Sequence, residues 1–326
     1  LPLSAPKEAL PDMTMTSADV IGLLTPGLKT AFFGTFEEMG HQYQDISTLI
    51  PSDKDTEHYA WLGALPGVNE FLDERRVGYR DPGTNGIVDH VERDLKEYEY
   101  FIKNKTWEST ISVDRAAIED DQYGQLAIRA KQMGASGAQH LDLLTYGMLE
   151  GGFVNPCFDG AAFFGPHTQG GITQVNRAGD TLSAASLQAA ITAMMRFTDD
   201  QGKPAGVTPD LLVVSPELYW EGRVLLESTY YPDLVTTASQ ELAMNPLKGL
   251  LSLTVSPYLA SPNNWYLLDT KRVVKAVILQ MRKDFEFEAL EQNSETGFLK
   301  DVFYYGVRAR YNAGYGDWRA AFGSAV

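Results

Sequence analysis

The chain contains a single cysteine, Cys157, in 326 residues. One thiol cannot close a disulfide within the chain, so a stapled, secreted-type framework is excluded. No apolar stretch approaches the ~18–20 residues that cross a bilayer as a helix, and no membrane role is expected. The five histidines are His41, His58, His90, His140 and His167. None is paired at i+3 or i+4, so no helical zinc motif exists. No GxSxG elbow marks a serine nucleophile. The glycine-rich run 165–171 lacks the Gly-Lys-Ser/Thr ending of a phosphate-cradling loop. Basic charge is also scarce: 27 Lys plus Arg stand against 43 Asp plus Glu, a net charge of −16. Binding to nucleic acid by the whole surface needs many phosphate-neutralising cations, so this balance argues against it.

What remains is an ordinary globular composition, with 44% apolar and 21% charged residues. That excludes a disordered or collagen-like chain. Residues 1–16 carry Pro2, Pro6 and Pro11 and read as an extended arm. The chain starts at Leu1, not Met, which is expected to mark a maturation cut or numbering that begins inside a longer product. Ser17 and Asp19 suit a helix start, Pro26-Gly27 should interrupt that helix, and residues 28–39 resume the pattern. Residues 46–50 read as a short strand. Residues 70–99 hold nine acids and five bases around the turn signal Asp81-Pro82-Gly83-Thr84-Asn85-Gly86. So charged a segment cannot bury itself, and it is expected to protrude. Residues 107–113 alternate as a half-buried strand does. Leu126, Ala130, Met133, Gly137, Leu141, Leu144 and Met148 then form one helical stripe, predicting a long helix over 116–150 that Gly151-Gly152 ends. The next 45 residues hold only Asp159, Arg177 and Asp180 as charges, so a second domain starts here by composition. Ser183 should cap a helix with Leu187, Ile191 and Met194. Strands are predicted at 211–214, 265–268, 273–281, 284–290 and 302–310. The pattern is α+β, without a regular βαβ repeat.

Few residues offer chemistry. Asp159 and His167 flank the glycine-rich segment and could serve a metal-dependent hydrolase with a dispersed acidic site, although polar turn residues explain them more simply. Cys157 could be a nucleophile, yet a lone cysteine is more often a small buried hydrophobe. Glu119, Asp120 and Asp121 could bind a hard cation, but helix N-termini favour acids anyway. The triplet Asn104-Lys105-Thr106 carries no weight alone. A chain of this size with an arm, a charged protrusion and no catalytic set suits an assembly subunit, whose unsatisfied segments are completed by partners.

The C-terminal stretch adds a resemblance. Asn264-Trp265-Tyr266-Leu267-Leu268-Asp269-Thr270 precedes a strand ending in Gln280-Met281-Arg282. Residues 302–310, then Asn312-Ala313-Gly314-Tyr315-Gly316 and Trp318, close the chain. With Phe32-Phe33-Gly34, Trp61-Leu62-Gly63, Asn104-Lys105-Thr106-Trp107-Glu108, Ile118-Glu119-Asp120-Asp121 and the block from Asp159-Gly160 to His167, the sequence resembles the major head subunit of Mu-like phages and prophages. The resemblance implies the Hong Kong 97-type phage capsid fold. It places an N-terminal arm at 1–45, a peripheral domain at 46–151 and 300–326 with an extended loop at 66–104 and a long spine helix, and an axial domain at 152–299. It implies a shell-forming structural protein of the virion, enclosing double-stranded DNA and assembled in the host bacterial cytoplasm. No catalytic residue, cofactor or metal is expected. The implied partners are copies of itself in hexamers and pentamers, then portal, scaffold, protease and decoration proteins, and packaged DNA by weak contact. The residues expected at inter-subunit contacts are Arg75, Arg76, Arg80, Asp89, Glu92 and Asp94, whose opposite charges flank the turn.

Overall fold

The computed structural model describes residues 17–59, 100–116, 123–169, 171–199, 202–230, 244–290 and 301–326, with the backbone alone for 17–23 and 123. The chain folds as two compact units. The first comprises the described parts of Leu1–His41, Thr106–Leu141 and Lys283–Arg310; the second comprises those of Gln42–Lys105, Asp142–Arg282 and Tyr311–Val326.

In the first unit, helix α1 (Ser17–Glu38) buries Leu24, Leu28 and Phe32, one face at steps of four. Pro26 lies inside it, so the expected interruption at Pro26-Gly27 does not occur. Proline removes one backbone donor, but the line of buried side chains continues across it. The Thr30 hydroxyl donates to the Pro26 carbonyl at 2.9 Å. Strand β4 (Lys105–Asp114) extends the expected 107–113 by a few residues. It borders β12 (Val302–Tyr315), which in turn borders β11 (Val277–Leu290). Residues 277–281 and 284–290 of the two predicted stretches thus belong to one strand, while 273–276 lie outside it. Along β11, Phe285, Phe287 and Ala289 are half-buried while Asp284, Glu286 and Glu288 are exposed. Helix α3 (Tyr123–Gly151) has 29 residues, about 43 Å at 1.5 Å per residue. Leu126 and Ala130 pack with Leu24, Leu28, Val113, Phe303 and Tyr305. Met133 packs with Phe32 and Val307, flanked by Phe36, Phe285 and Phe287. Gly134 lies so near α1 that a Cβ there would overlap the Phe32 carbonyl.

In the second unit the buried side of α3 is Asp142, Thr145, Tyr146 and Leu149. Leu144 and Met148 of the expected stripe are half-buried. Short helix α2 (Tyr43–Ile46) begins where Tyr43 N–H donates to the Asp142 carboxylate at 2.8 Å. Strand β1 (Ser47–Pro51) runs parallel to the start of β11. Strand β2 (Thr56–His58) pairs antiparallel with β3 (Phe101–Lys103). Hairpin β5 (Pro166–Gln169) and β6 (Ile172–Val175) turns at Gly171, whose φ of 80° favours glycine. The main sheet has the order β7 (Arg177–Ala178), β13 (Ala321–Ser324), β10 (Trp265–Leu268), β8 (Leu211–Val214), β9 (Ser252–Val255). All residues of β8, β10 and β13 are buried, which suits the continuous apolar runs of β8 and β10. Ser183 caps helix α4 (Ala184–Met195) as predicted, accepting from Ser186 N–H at 3.1 Å. Helix α5 (Tyr219–Glu227) follows β8.

These units divide the chain differently from the domain ranges expected above. Residues 311–326 fold with the 142–282 stretch, because β13 is an inner strand between β10 and β7.

Candidate functional site

Of the residues expected to act, Arg75, Arg76, Arg80, Asp89, Glu92 and Asp94 lie outside the described residues, as do Glu119, Asp120 and Asp121. Asp159 and His167 are described, and the fold brings them together with Cys157.

The loop after α3 folds on itself. Cys157 N–H donates to the Ala161 carbonyl at 2.8 Å, Gly160 N–H to the Cys157 carbonyl at 3.0 Å, and Gly160 adopts φ 81°. Asp159 Oδ1 accepts from Ala161 N–H at 3.0 Å and from the Cys157 thiol at 3.1 Å. Its Oδ2 lies 2.7 Å from His167 Nδ1. His167 projects from β5, is fully buried, and stacks on Trp318 at 4.2 Å with the rings 5° from parallel. Its Nε2 lies 3.1 Å from the Phe163 carbonyl. Burial alone would raise the Asp159 carboxyl, but hydrogen bonds from His167, Cys157 and Ala161 N–H prevail and hold it below the usual range. Burial, with the Asp159 charge second, pushes the Cys157 thiol well up.

This arrangement does not suit hydrolysis. A thiol kept protonated is a poor nucleophile. A buried imidazole with both nitrogens engaged does not offer a general base to a substrate. A cavity of about 490 Å³, lined by Tyr100, Phe101, Pro156, Cys157, Phe158, Asp159 and Gly160, opens beside the cluster.

Two further arrangements escaped the sequence reading. The fully buried Asn176 accepts from Gly165 N–H at 2.9 Å. Its amide donates to the carbonyls of Phe163, Trp318 and Ala321 at 2.9, 3.1 and 3.2 Å. Arg319 is also fully buried, donating to the Thr198 carbonyl at 3.0 Å, to Asp317 Oδ1 at 3.2 Å and to Gln169 Oε1. Arg272 reaches the other Asp317 oxygen at 2.9 Å. One carboxylate thus serves two guanidinium groups, that of the fully buried Arg319 and that of the partly exposed Arg272. The only sequence signal was an arginine inside the otherwise apolar 318–323.

Comparison with known proteins decides what these clamps belong to. The model of the family described as Mu-like prophage major head subunit gpT matches residues 21–178, 170–259 and 260–326. The chain belongs to this family. It is 26% identical over 310 residues to the Mu-like prophage FluMu major head subunit of Haemophilus influenzae, and equally to the major capsid protein of Escherichia phage Mu. Each alignment covers 95% of this chain and 74% of the relative. The procapsid subunit of bacteriophage JBD30 aligns over 96% of this chain and 76% of its own, with a TM-score of 0.54 and 25% identity. The capsid structure of cyanophage P-SCSP1u covers 88% of both chains with a TM-score of 0.55 and 13% identity, a likeness of fold alone. The head subunit therefore has the α+β capsid fold of the Hong Kong 97 type, and it is a structural protein and not an enzyme. The hydrolase alternative built on Asp159 and His167 finds no support in family, fold or geometry.

Proposed function

We propose that this head subunit closes, as hexamers and pentamers of itself, into an icosahedral shell around packaged double-stranded DNA in the host bacterial cytoplasm. The observation that carries the proposal is the family match along nearly the whole chain. Large apolar side chains left exposed on the second unit, among them Trp220, Met244 and Val273, are what a subunit awaiting neighbours would present. The working domain assignment is an arm at 1–45, an extended loop at 66–104 within a peripheral domain of 46–151 and 300–326, and an axial domain at 152–299. Portal, scaffold, protease and decoration proteins are the further partners, and the acidic balance favours weak contact with the DNA.

Arg75, Arg76 and Arg80, with Asp89, Glu92 and Asp94, supply the charged contacts between neighbouring copies. Reversing Arg75 and Arg76 to Glu should leave thermal melting of the unassembled chain nearly unchanged and reduce particle yield. Electron microscopy of the purified chain is the direct test. Closed shells support the proposal. A monomer that hydrolyses a substrate only with added divalent metal would overturn it, and normal particles from the double reversal would remove these arginines from the interface.

A further inference from the structure

Three donor atoms of different chemistry meet at Cys157, Asp159 and His167. The Phe163 carbonyl and the Asp159 carboxylate are both acceptors, and they lie 3.1 and 2.7 Å from the two nitrogens of His167. A neutral imidazole carries one N–H. If Nε2–H donates to Phe163, the Nδ1 lone pair points at a carboxylate oxygen. The other carboxylate oxygen is occupied by the Cys157 sulfur at 3.1 Å. Sulfur, imidazole nitrogen and carboxylate oxygen thus converge, all within 4.8 Å of one another.

We propose that Cys157, Asp159 and His167 bind a zinc-type divalent cation through three side chains of the head subunit. The donor set selects the metal class. Thiolate and imidazole suit zinc, whereas calcium and magnesium take oxygen ligands. The hydrogen bond from Nε2–H to a backbone carbonyl is the partner that orients a metal-binding histidine. A water entering from the cavity that Cys157 and Asp159 help to line would be the fourth ligand of a tetrahedron. Tetrahedral ligands at zinc distances stand about 3.3–3.6 Å apart, so with Oδ2 as the Asp159 ligand its 2.7 Å separation from Nδ1 must widen by about half an ångström, and the sulfur, within 4.8 Å of the other two donors, must turn toward the same point. Binding displaces the thiol proton, and the imidazole's second proton where the ring carries one. The cation would tie the loop at 157–161 to β5 beneath Trp318. This inference does not depend on the shell reading, since it concerns one unit of one chain.

The test uses the full chain, stripped with a chelator and titrated with Co²⁺. The expected result is one Co²⁺ per chain with a thiolate-to-cobalt charge-transfer band, which zinc then removes. Because Cys157 is the only cysteine, that band reports it alone. Cys157→Ser should abolish the band. Asp159→Asn keeps an oxygen for the Ala161 turn but loses the charge, so it should weaken Co²⁺ affinity at least tenfold. The wild-type spectrum decides the matter even if a variant fails to fold. No thiolate band at saturating Co²⁺ overturns the proposal. So does a His167 ring that nitrogen NMR shows carrying both N–H protons with Co²⁺ or zinc in excess, which would mark a plain imidazolium–carboxylate pair.

Discussion

Glycine-to-alanine substitutions on the two long helices should split by sign according to what the new methyl group meets. In an open helix position, alanine is favoured over glycine by about 0.8–1.0 kcal/mol, because glycine loses more backbone freedom on folding. Gly34, inside α1, has nothing within 4 Å of an added Cβ. Gly34→Ala should therefore stabilise the first unit by about 0.5–1 kcal/mol. At Gly134 the same methyl would overlap the Phe32 carbonyl oxygen, with the carbonyl carbon at 3.2 Å and Cα at 3.4 Å. Those are backbone atoms of a packed helix and cannot rotate aside. To make room, α1 must shift, and the layer of Phe32, Met133 and Val307 opens. Overpacking costs about 1–3 kcal/mol, and a rigid backbone obstacle lies at the upper end. After subtracting the helix preference, Gly134→Ala should destabilise by about 1–2 kcal/mol. Gly137 is intermediate. Its Cβ would meet the Phe285 ring at 3.2 and 3.6 Å and Phe36 at 3.7 Å, and rings can tilt. Gly137→Ala should be nearly neutral, while Gly137→Leu should cost about 1–3 kcal/mol. The measurement is urea unfolding of the unassembled chain, with the three alanine variants beside wild type. A Gly134→Ala variant as stable as Gly34→Ala would show that α1 and α3 do not approach as described.

The remaining predictions concern polar groups. Asn176→Ala leaves the Gly165 N–H and the Ala321 carbonyl short of a partner, while the Phe163 carbonyl keeps His167 and the Trp318 carbonyl keeps the Ala321 N–H; at ~1–3 kcal/mol for each group left unsatisfied, the loss should be at least about 2 kcal/mol. Thermal melting checks it, and a loss below 1 kcal/mol would mean that water replaces the amide freely. Glu57 is held below the usual carboxylate range, first by the Lys54 N–H and also by Ser52 and the Asp53 N–H, with burial opposing. A depressed folded value means that the stabilisation is present above the unfolded carboxyl's range, about pH 4.3, and is lost as pH falls through the folded value. Amide exchange at Lys54 should therefore be slow near neutrality and quicken in acid beyond the intrinsic trend, whereas Glu57→Gln should flatten that dependence.

Periodicity made the long elements legible. The stripe through Leu126, Ala130 and Met133 located α3, the alternation at 284–290 located half of β11, and Ser183 marked a true cap. Local punctuation was less reliable. Pro26-Gly27 reads as a break, but the buried line Leu24, Leu28, Phe32 continues through it, and packing outweighs one missing backbone bond. The polar clamps were not legible, because their partners are remote in sequence. Asn176 meets Trp318 and Ala321, and Arg319 meets Gln169 and Thr198. The proximity of Cys157 to Asp159 and His167 was hidden for a related reason: it depends on a turn at Gly160 and on β5 coming back past the loop.

The motif that carried the family resemblance has a physical explanation in the second unit. Asn264 accepts from Val326 N–H, and Asp269 accepts from Thr208 N–H and Lys271 N–H. Asn312 donates to the Lys103 carbonyl at 2.8 Å, and Tyr315 N–H donates to the Tyr100 hydroxyl at 2.6 Å. Gly314 and Gly316 are small because a Cβ would run into the Ile102 side chain and the Lys275 carbonyl respectively. Trp318 covers His167, and its neighbours Asp317 and Arg319 hold the buried charge cluster. Asn264, Asp269 and Asn312 of the motif, with the neighbouring Asp317 and Arg319, are therefore used against their own chain. Polar groups satisfied in a buried network are costly to remove and favour one arrangement over its competitors. For an enzyme, such groups would be directed at a substrate. For a subunit that must present the same surface to every neighbour, they are best consumed in fixing the shape, and that is how the closing stretch of this chain uses them.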